Sequence, residues 1–354
     1  MSTKPEIIIY VTTRIKSKKK NKLAIDCFNY YLLYKLCLLD ILYQVGNFMK
    51  KNNESQLGSF EDKKIVKILK GFSLEITPFV ANKIENLSQF IKPSTTIFIT
   101  FLPGSDYKDT INTAKKIRLE GLNPAPHFAA RSIPSKEMLE DYVSRIAGEA
   151  NVKKILIVGG AGKEQIGPYA DTVSLLETGI FDKYGITDIG LAGHPEGSPD
   201  ITDKEIRKSL ILKNKFSETS DANFFIISQF CFDADAILNW SIRINSEGNK
   251  IPIIIGLPGV AKLSTLIKYS LSCGIGNSMN FLKKQGSNVL NLVQTQEPDK
   301  LVRKLAVSEE ILKKNGIDGI HIYPLGGIRK SSEWAQGIID ENFKLTSDGF
   351  KVSY

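Results

Sequence analysis

Eight short apolar runs, each rich in β-branched or aromatic residues, recur after Met49 and constrain the fold more than any other feature. They lie at 72–76, 96–101, 124–128, 154–158, 188–192, 223–230, 251–256 and 319–323. Stretches with helical spacing and charged faces separate them, among them 135–150, 204–216 and 298–316. Continuous apolar runs are typical of buried parallel strands, and strand-to-helix repeats indicate βαβ units. The pattern predicts an α/β fold, a (β/α)8 TIM barrel with a longer helical insertion between the seventh and eighth strands.

A doubly wound open sheet is the structural alternative to the barrel. Such a sheet would need a phosphate-binding glycine turn after an early strand, but the first run leads into EITPFVANKI. The later GGAGK at 159–163 lacks the GxxxxGK[ST] spacing of a P-loop. The barrel is therefore the preferred prediction.

The first 48 residues form an extension of doubtful status, and residues 49–354 are predicted to form a single barrel domain. A basic stretch, RIKSKKKNK, precedes an apolar run that is interrupted by Asp26, Asn29, Lys35 and Asp40. A charge in the middle of a membrane costs roughly 2.5–3.5 kcal/mol, so no stable membrane association is expected. Three interpretations remain: a weak membrane or partner helix, an extra packed helix, or translated upstream sequence before a natural start at Met49.

The distribution of charge and the spacing of the cysteines argue against nucleic-acid binding, a metal site and a disulfide framework. The formal net charge is +9, but residues 1–48 hold eight Lys or Arg against three Asp or Glu, which leaves only +4 for the other residues. No aromatic and basic recognition motif accompanies this charge, so no nucleic-acid partner is predicted. The four cysteines form no CxxC pair, which predicts neither a metal site nor a disulfide framework. We expect a cytoplasmic protein, and a homo-oligomer stays open.

Polar residues stand where the predicted strands end. In chain order they are Glu75, Thr100, His127, the GGAG turn at 159–162, the stretch from His194 to Asp200, Gln229, and His321 with Tyr323. The active sites of (β/α)8 barrels lie at the carboxyl ends of the strands. The three histidines together favour a functional site, although each alone is equally compatible with a structural role.

Three of these features have chemical interpretations of their own. Glu75 lies among apolar neighbours that would raise its pKa, as a general acid requires, but it could also face solvent or pair with Arg131. Gln229 can donate and accept hydrogen bonds to a heterocycle, or it can satisfy backbone groups at the barrel rim. The glycine turn at 158–172, with Lys163, can present backbone N–H groups to a phosphate or a flavin edge, although a plain tight turn looks similar.

From about residue 71 to 330 the motifs and their order resemble methylenetetrahydrofolate reductase, a flavoprotein barrel of one-carbon metabolism and methionine biosynthesis. The motifs are FSLEITP, PAPHF, GLAGHPEGSPD, ISQFCFD and GIHIYPLG, and their joint order is far more specific than any one of them. The resemblance implies ping-pong hydride transfer from NAD(P)H through FAD to a folate, with Glu75 as the general acid. It also implies that Gln229 and Tyr323 bind the substrate. The implied FAD-binding residues are Thr100, Phe101, His127, Gly159, Gly160, Ala161, Ala170, His194, Ser198 and Lys215.

The chain departs from the family pattern at several positions. Ala161 stands where the family has an acidic residue, and His194 and Ser198 replace an aromatic residue and a histidine. Gly327 replaces an arginine, although Arg329 follows two residues later. Loss of the acid suggests a variant that works mainly in the oxidative direction. Two other functions stay open: a flavin-independent folate oxidoreductase, and a non-catalytic folate-binding barrel.

Overall fold

The computed structural model describes residues 60–160, 164–274 and 292–354. The predicted extension, the proposed start at Met49, and Ala161 with its neighbours through Lys163 lie outside these residues. The fold and the candidate site below are those of the described part of the chain.

Eight parallel strands form a closed barrel, as predicted. The barrel strands are β1 Ser73–Ile76, β2 Thr96–Ile99, β3 Asn123–Ala129, β4 Lys154–Val158, β5 Asp188–Gly193, β6 Asn223–Ser228, β7 Ile253–Pro258 and β10 Ile317–Tyr323. Two short strands outside the barrel, β8 Ala261–Lys262 and β9 Thr295–Gln296, lie between β7 and β10 in the chain. Each strand pairs with its sequence neighbour in the ring, and β1 pairs with both β2 and β10, which closes the barrel. All eight predicted strands are confirmed, with boundaries that differ by a few residues.

Helices alternate with the strands around the barrel. They are α1 at 60–69, α2 Pro78–Lys83, α3 Tyr107–Leu119, α4 Lys136–Ala150, α5 Thr172–Leu176, α6 Ile180–Lys183, α7 Asp203–Ser217, α8 Ala234–Ser246, α9 Leu263–Ser272, α10 Asp299–Val307, α11 Glu309–Lys314 and α12 Ile328–Ile339. Capping boxes fix two helix starts beside the barrel mouth, Asp171 with Ser174 at α5 and Thr202 with Glu205 at α7. Among the described residues, no helix combines the length and apolar character needed to span a bilayer.

The stretch 298–316, predicted to be helical, forms two helices, α10 and α11, that meet at Ser308. Ser308 leaves the helical backbone, with φ −88° and ψ 20°, and its hydroxyl donates to the carbonyl of Lys304. The insertion between β7 and β10 also contains the antiparallel pair β8 and β9. A C-terminal hairpin of β11 Phe343–Leu345 and β12 Phe350–Val352, which was not predicted, stacks the Phe350 ring on Trp334.

The apolar core has two layers, and the inner layer supports the site. The outer and larger layer lies between the strands and the helices. Inside the barrel, Phe98, Ala125, Leu156, Phe225 and Ile227 pack into a separate apolar cluster. Because all eight strands are parallel, their carboxyl ends meet at one mouth, and the polar residues that follow the strands are brought together there.

Candidate active site

A buried carboxylate between two histidines forms the centre of the site. The hydroxyl of Thr100 donates to Oε1 of Glu75 at 2.6 Å. The Nε2 atoms of His127 and His321 lie 3.6 and 3.5 Å from Oε2 of the same carboxylate. Oε2 and both Nε2 atoms are buried without a hydrogen-bond partner among the described residues. Buried polar atoms are normally satisfied, so this cluster has unused capacity for a ligand group.

The predicted rise in the pKa of Glu75 is wrong. Burial does raise this pKa, but the two nearby imidazoles of His127 and His321 and the hydrogen bond from Thr100 outweigh burial and hold it below its ordinary value. Burial lowers the pKa of His127, and the nearby carboxylate offsets this only in part. Glu75 is therefore ionised at neutral pH. Arg131, its alternative partner, instead donates to the carbonyl of Gly160.

Ser73 and Phe98 hold the two imidazole rings in place. The Ser73 hydroxyl lies 2.8 Å from Nδ1 of His321 in a buried hydrogen bond. The Phe98 ring meets His321 edge-on at a centroid distance of 5.1 Å and lies 6.0 Å from the ring of His127. His321 reaches Glu75 because β10 closes the barrel against β1, in a register that pairs Ser73 with His321. His321 stands at a predicted strand end in the sequence, but its contact with Glu75 was not predicted.

One cavity of about 1180 Å³ opens at the carboxyl ends of the strands. Ligand pockets commonly measure about 300–1,000 Å³, so this cavity has room for a ligand larger than a drug-sized molecule. Most residues predicted for the site lie in its wall, namely Glu75, Thr100, Phe101, His127, Gly159, Gly160, Ala170, His194, Ser198, Gln229 and Tyr323. Residues predicted on seven different strand ends are thus brought to one space.

Gln229 and Tyr323, the predicted substrate-binding residues, lie together on one side of this cavity. The side-chain oxygen of Gln229 accepts a hydrogen bond from the N–H of Phe230, which leaves its amide NH2 group as the donor for a ligand. The Tyr323 hydroxyl donates to the carbonyl of Ser228 at 3.1 Å. The Tyr323 ring packs edge-on against His321 at 4.5 Å, so the part of the cavity wall with Gln229 and Tyr323 adjoins the carboxylate cluster.

The described residues after β4 and β5 continue the cavity wall from Gln229, because β5 pairs with β6 and the N–H of Gln229 donates to the carbonyl of Gly193. Gly160 has a φ of +96°, which favours glycine, and its carbonyl accepts from Arg131. Gly197 has a φ of +82° and closes a turn in which its N–H donates to the carbonyl of His194. Ser198 accepts a hydrogen bond from the N–H of Asp200. These turns place the backbone of the glycines and the side chains of His194, Ser198 and Pro199 against the cavity.

The structure brings Lys213, not Lys215, to the cavity. Lys215 lies on the exposed side of α7 and is not part of the cavity wall, whereas Lys213 is 7% exposed and lines it. Its Nζ donates to the carbonyl of Ala192 at 3.3 Å. Burial lowers the pKa of Lys213 to about 8, although the carboxylate of Asp171 opposes this. Lys213 was missed because it and Lys215 lie two positions apart on a helix whose orientation the sequence does not specify.

His194 predicts a pH dependence of stability. Burial, aided by the charge of Lys213, lowers its pKa from 6.5 to about 4, so folding favours the neutral ring. Its contribution is present above pH 6.5 and is lost as the pH falls through about 4. We expect His194→Asn to reduce the fall in the free energy of unfolding over this range by at most about 3 kcal/mol, measured by urea denaturation at each pH. Equal pH slopes in wild type and variant would contradict the burial of this ring.

Comparison with known proteins identifies the family that the sequence motifs resemble. The family model described as methylenetetrahydrofolate reductase matches residues 71–335. Methylenetetrahydrofolate reductase 2 of Saccharomyces cerevisiae is 24% identical over 234 residues, which are 61% of this chain and 36% of the yeast protein. Methylenetetrahydrofolate reductase 1 of Schizosaccharomyces pombe is 27% identical over 226 residues, 59% of this chain and 35% of that protein. The chain thus spans about a third of the length of these relatives.

Solved structures also resemble parts of the chain. An uncharacterised protein from Clostridium thermocellum, described as binding two copies of 5-methyl-5,6,7,8-tetrahydrofolic acid, aligns with a TM-score of 0.49 and 15% identity over 79% of this chain and 97% of its own. A sugar phosphate isomerase/epimerase from Parabacteroides distasonis aligns with a TM-score of 0.35 and 13% identity over 76% of this chain and 96% of its own. The family assignment depends on the family model, which covers well over half of the chain from β1 into α12. The chain belongs to the methylenetetrahydrofolate reductase family.

Proposed function

We propose that the protein is a flavin-dependent oxidoreductase that interconverts 5,10-methylenetetrahydrofolate and 5-methyltetrahydrofolate, with NAD(P)H as co-substrate. The observation that carries the proposal is the buried carboxylate of Glu75, whose Oε2 lacks a hydrogen-bond partner among the described residues. Opening or closing the methylene bridge of a folate requires proton transfer at a nitrogen, which a positioned carboxyl group can perform. Membership of the family supports this chemistry.

The cavity suits a flavin in size and in chemistry. Its volume of about 1180 Å³ exceeds that of a common small-molecule pocket. Phe101 offers an apolar surface, the Gly159–Gly160 turn offers backbone groups, and Arg131 and Lys213 offer cations for phosphate. The buried Nε of Arg131 has no hydrogen-bond partner in the described part of the chain, as expected of a group that meets a ligand. When bound, FAD would carry the hydride between the nicotinamide and the folate.

Ionised Glu75 is the form of the side chain from which the oxidation of 5-methyltetrahydrofolate would begin. When 5-methyltetrahydrofolate is oxidised and the bridge closes, N10 of the folate loses a proton that a carboxylate can accept. In the reductive direction Glu75 must first gain a proton, and the Nε2 atoms of His127 and His321 lie close enough to Oε2 to share one. The ionised carboxylate of Glu75 is ready to accept this proton, and the oxidative direction, which the sequence suggests through Ala161, begins from that form.

Gln229 and Tyr323 would position the pterin ring beside this carboxylate. The Gln229 amide has free donors because its oxygen is engaged by the Phe230 N–H, so it can donate to a ring carbonyl or ring nitrogen. Tyr323 adjoins His321, and its hydroxyl is held by the Ser228 carbonyl, so its ring edge forms a fixed wall. The substrate side of the cavity is thereby preorganised next to the proton-transfer group.

Anaerobic half-reactions test the proposal directly. Purified protein is inspected for the visible absorbance of bound flavin, photoreduced, and mixed with 5,10-methylenetetrahydrofolate; oxidised protein is mixed separately with 5-methyltetrahydrofolate. We expect the flavin spectrum to change in at least the second reaction. If no electrons pass in either direction, the proposal is wrong.

The same experiment separates the two alternatives. A colourless protein that still couples nicotinamide oxidation to folate reduction would be a flavin-independent oxidoreductase. A protein that binds folate, measured by calorimetry, but transfers no electrons would be a folate-binding barrel. The buried Glu75 cluster argues against the second alternative, because binding alone does not require a desolvated carboxylate with two imidazoles on one oxygen.

A further inference from the structure

Phe79 exposes an aromatic ring at the mouth of the cavity. It lies in α2, four residues after Glu75, and it is 67% exposed although it lines the cavity. Leu102, which follows β2, is 47% exposed and lines the cavity as well. Because β1 pairs with β2, these two side chains follow neighbouring strand ends. The rim beside Glu75 therefore carries exposed apolar surface of the kind that lines ligand pockets.

Lys83 holds a cation against the Phe79 ring. Its Nζ lies 3.8 Å from the centroid of that ring, well within the range of a cation–π contact. The two residues stand four positions apart on α2, a spacing that places side chains on the same face of a helix. Among the described residues, no carboxylate forms a salt bridge with Lys83. The ammonium group therefore has donors left for a ligand.

Cation contacts with other rings of the described chain differ from this one. Lys183 lies 5.3 Å from the centroid of the half-buried ring of Tyr184, and Arg329 lies 4.2 Å from that of the half-buried ring of Phe90. Neither of these rings lines the cavity. Of the three rings, only that of Phe79 is both exposed and part of the cavity wall, so a structural contact alone does not explain its position.

The substrate of the proposed function carries groups that match this pair. In a folate, N10 is bonded directly to a p-aminobenzoyl ring, and that ring is joined to a glutamate with two carboxylates. The proposed function brings N10 to the carboxylate of Glu75, so the benzoyl ring must lie close to Glu75 as well. Four residues span at most about 14 Å of extended chain, which keeps Phe79 within reach of that ring. The glutamate then extends toward solvent, where Lys83 is exposed.

We propose that Phe79 and Lys83 form a tail site at the cavity mouth, which binds the p-aminobenzoyl-glutamate part of a folate. The inference rests on the proposed function and deepens it, because it assigns the part of the substrate that the pterin-binding residues do not contact. The face of the Phe79 ring opposite Lys83 stacks on the benzoyl ring. The ammonium group of Lys83 attracts a glutamate carboxylate at the edge of the two rings.

Two ligands that differ in the tail test the site. 5-Methyltetrahydrofolate carries the p-aminobenzoyl-glutamate group, whereas 6-methyltetrahydropterin has the pterin ring without it. Each is titrated anaerobically into the full chain, as purified, by calorimetry. We expect Phe79→Ala to weaken binding of 5-methyltetrahydrofolate by about fivefold to twentyfold and to keep the affinity for 6-methyltetrahydropterin within about twofold of wild type. Phe60→Ala is the matched control, because Phe60 is 57% exposed and does not line the cavity.

Charge variants test Lys83 separately. Lys83→Met should weaken binding of 5-methyltetrahydrofolate by about twofold to fivefold at low ionic strength, and the difference should disappear in high salt, because salt screens an exposed ion pair. Lys83→Arg keeps the charge and should match wild type. Lys183→Met is the control, since Lys183 also lies over a ring but is not part of the cavity wall.

Three results overturn the proposal. The first is that Phe79→Ala binds 5-methyltetrahydrofolate as tightly as wild type. The second is that Phe79→Ala weakens both ligands equally, because Phe79 would then support the pterin part of the cavity. The third is that Lys83→Met matches wild type at low ionic strength. Circular dichroism establishes that each variant is folded.

Competition on wild type gives a readout that needs no variant. p-Aminobenzoyl-L-glutamate and L-glutamate are each titrated against bound 5-methyltetrahydrofolate. We expect p-aminobenzoyl-L-glutamate to displace the folate at a lower concentration than L-glutamate, because only the former has a ring for Phe79. Equal potency of the two competitors, or no displacement by p-aminobenzoyl-L-glutamate, overturns the proposal.

Electron transfer separates this inference from the proposed function. If binding of 5-methyltetrahydrofolate depends on Phe79 and Lys83 but no half-reaction passes electrons, the proposed function is wrong although the tail site stands. If the half-reactions proceed and both variants bind the folate as wild type does, the tail site is wrong although the function stands.

Discussion

Glu75→Gln is expected to reduce folate turnover by roughly a hundredfold to ten-thousandfold, the usual contribution of a general acid or base. The amide keeps the shape of the side chain and can still accept from Thr100, which donates to Oε1 at 2.6 Å. It cannot exchange a proton with the substrate. Single-turnover spectroscopy of the flavin, with 5-methyltetrahydrofolate as reductant, measures the effect.

The flavin itself separates a chemical role of Glu75 from a structural one. We expect Glu75→Gln to retain bound flavin and to keep its reduction by NAD(P)H, because that half-reaction needs no proton at the folate nitrogen. Glu310→Gln, an exposed glutamate on α11, serves as the matched control and should match wild type in both half-reactions. Unchanged folate turnover in Glu75→Gln would remove Glu75 from the mechanism.

The fold was predictable because the short apolar run typical of a buried strand occurs eight times. Each barrel strand is a short apolar run such as KILIV at 154–158, which is also the observed extent of β4. Parallel strands that are buried on both faces need such runs, and the charged helical stretches between them leave few other architectures. Ser308 shows the limit of this reasoning, because helical spacing runs through 298–316 although the chain forms two helices that meet at this residue.

The sequence predicts which residues form the candidate site but not how their charges interact. Strand ends identified Glu75 and His127, because parallel strands share one mouth. The contact between Glu75 and His321 depends on closure of the first strand against the last, more than 240 residues later. Together with His127, which has the larger effect, His321 reverses the expected direction of the pKa shift of Glu75. The inward orientation of Lys213 likewise depends on how α7 packs, which its sequence does not specify.

Closure of the barrel beside the site also depends on Gly256 of β7. Gly256 lies opposite His321, and its N–H donates to the Ser228 hydroxyl at 2.8 Å. A Cβ atom at this position would lie 2.7 Å from Cε2 of Tyr323 and closer still to the backbone oxygen of Ser228. Backbone cannot move aside as the end of a flexible side chain can, so relief requires β6 and β7 to separate.

Gly256→Ala is therefore expected to lower the free energy of unfolding by about 3 kcal/mol, the upper end of the usual cost of overpacking. Urea denaturation measures this loss. Gly319→Ala is the matched control, because Gly319 lies in the adjacent strand β10 and a Cβ there meets no heavy atom within 4 Å. We expect Gly319→Ala to change stability by less than about 1 kcal/mol.

Because the displaced atoms belong to Ser228, Tyr323 and the backbone of Gln229, Gly256→Ala should also weaken folate binding in the fraction that stays folded. Equal stability of the two variants would show that β6, β7 and β10 do not pack this closely.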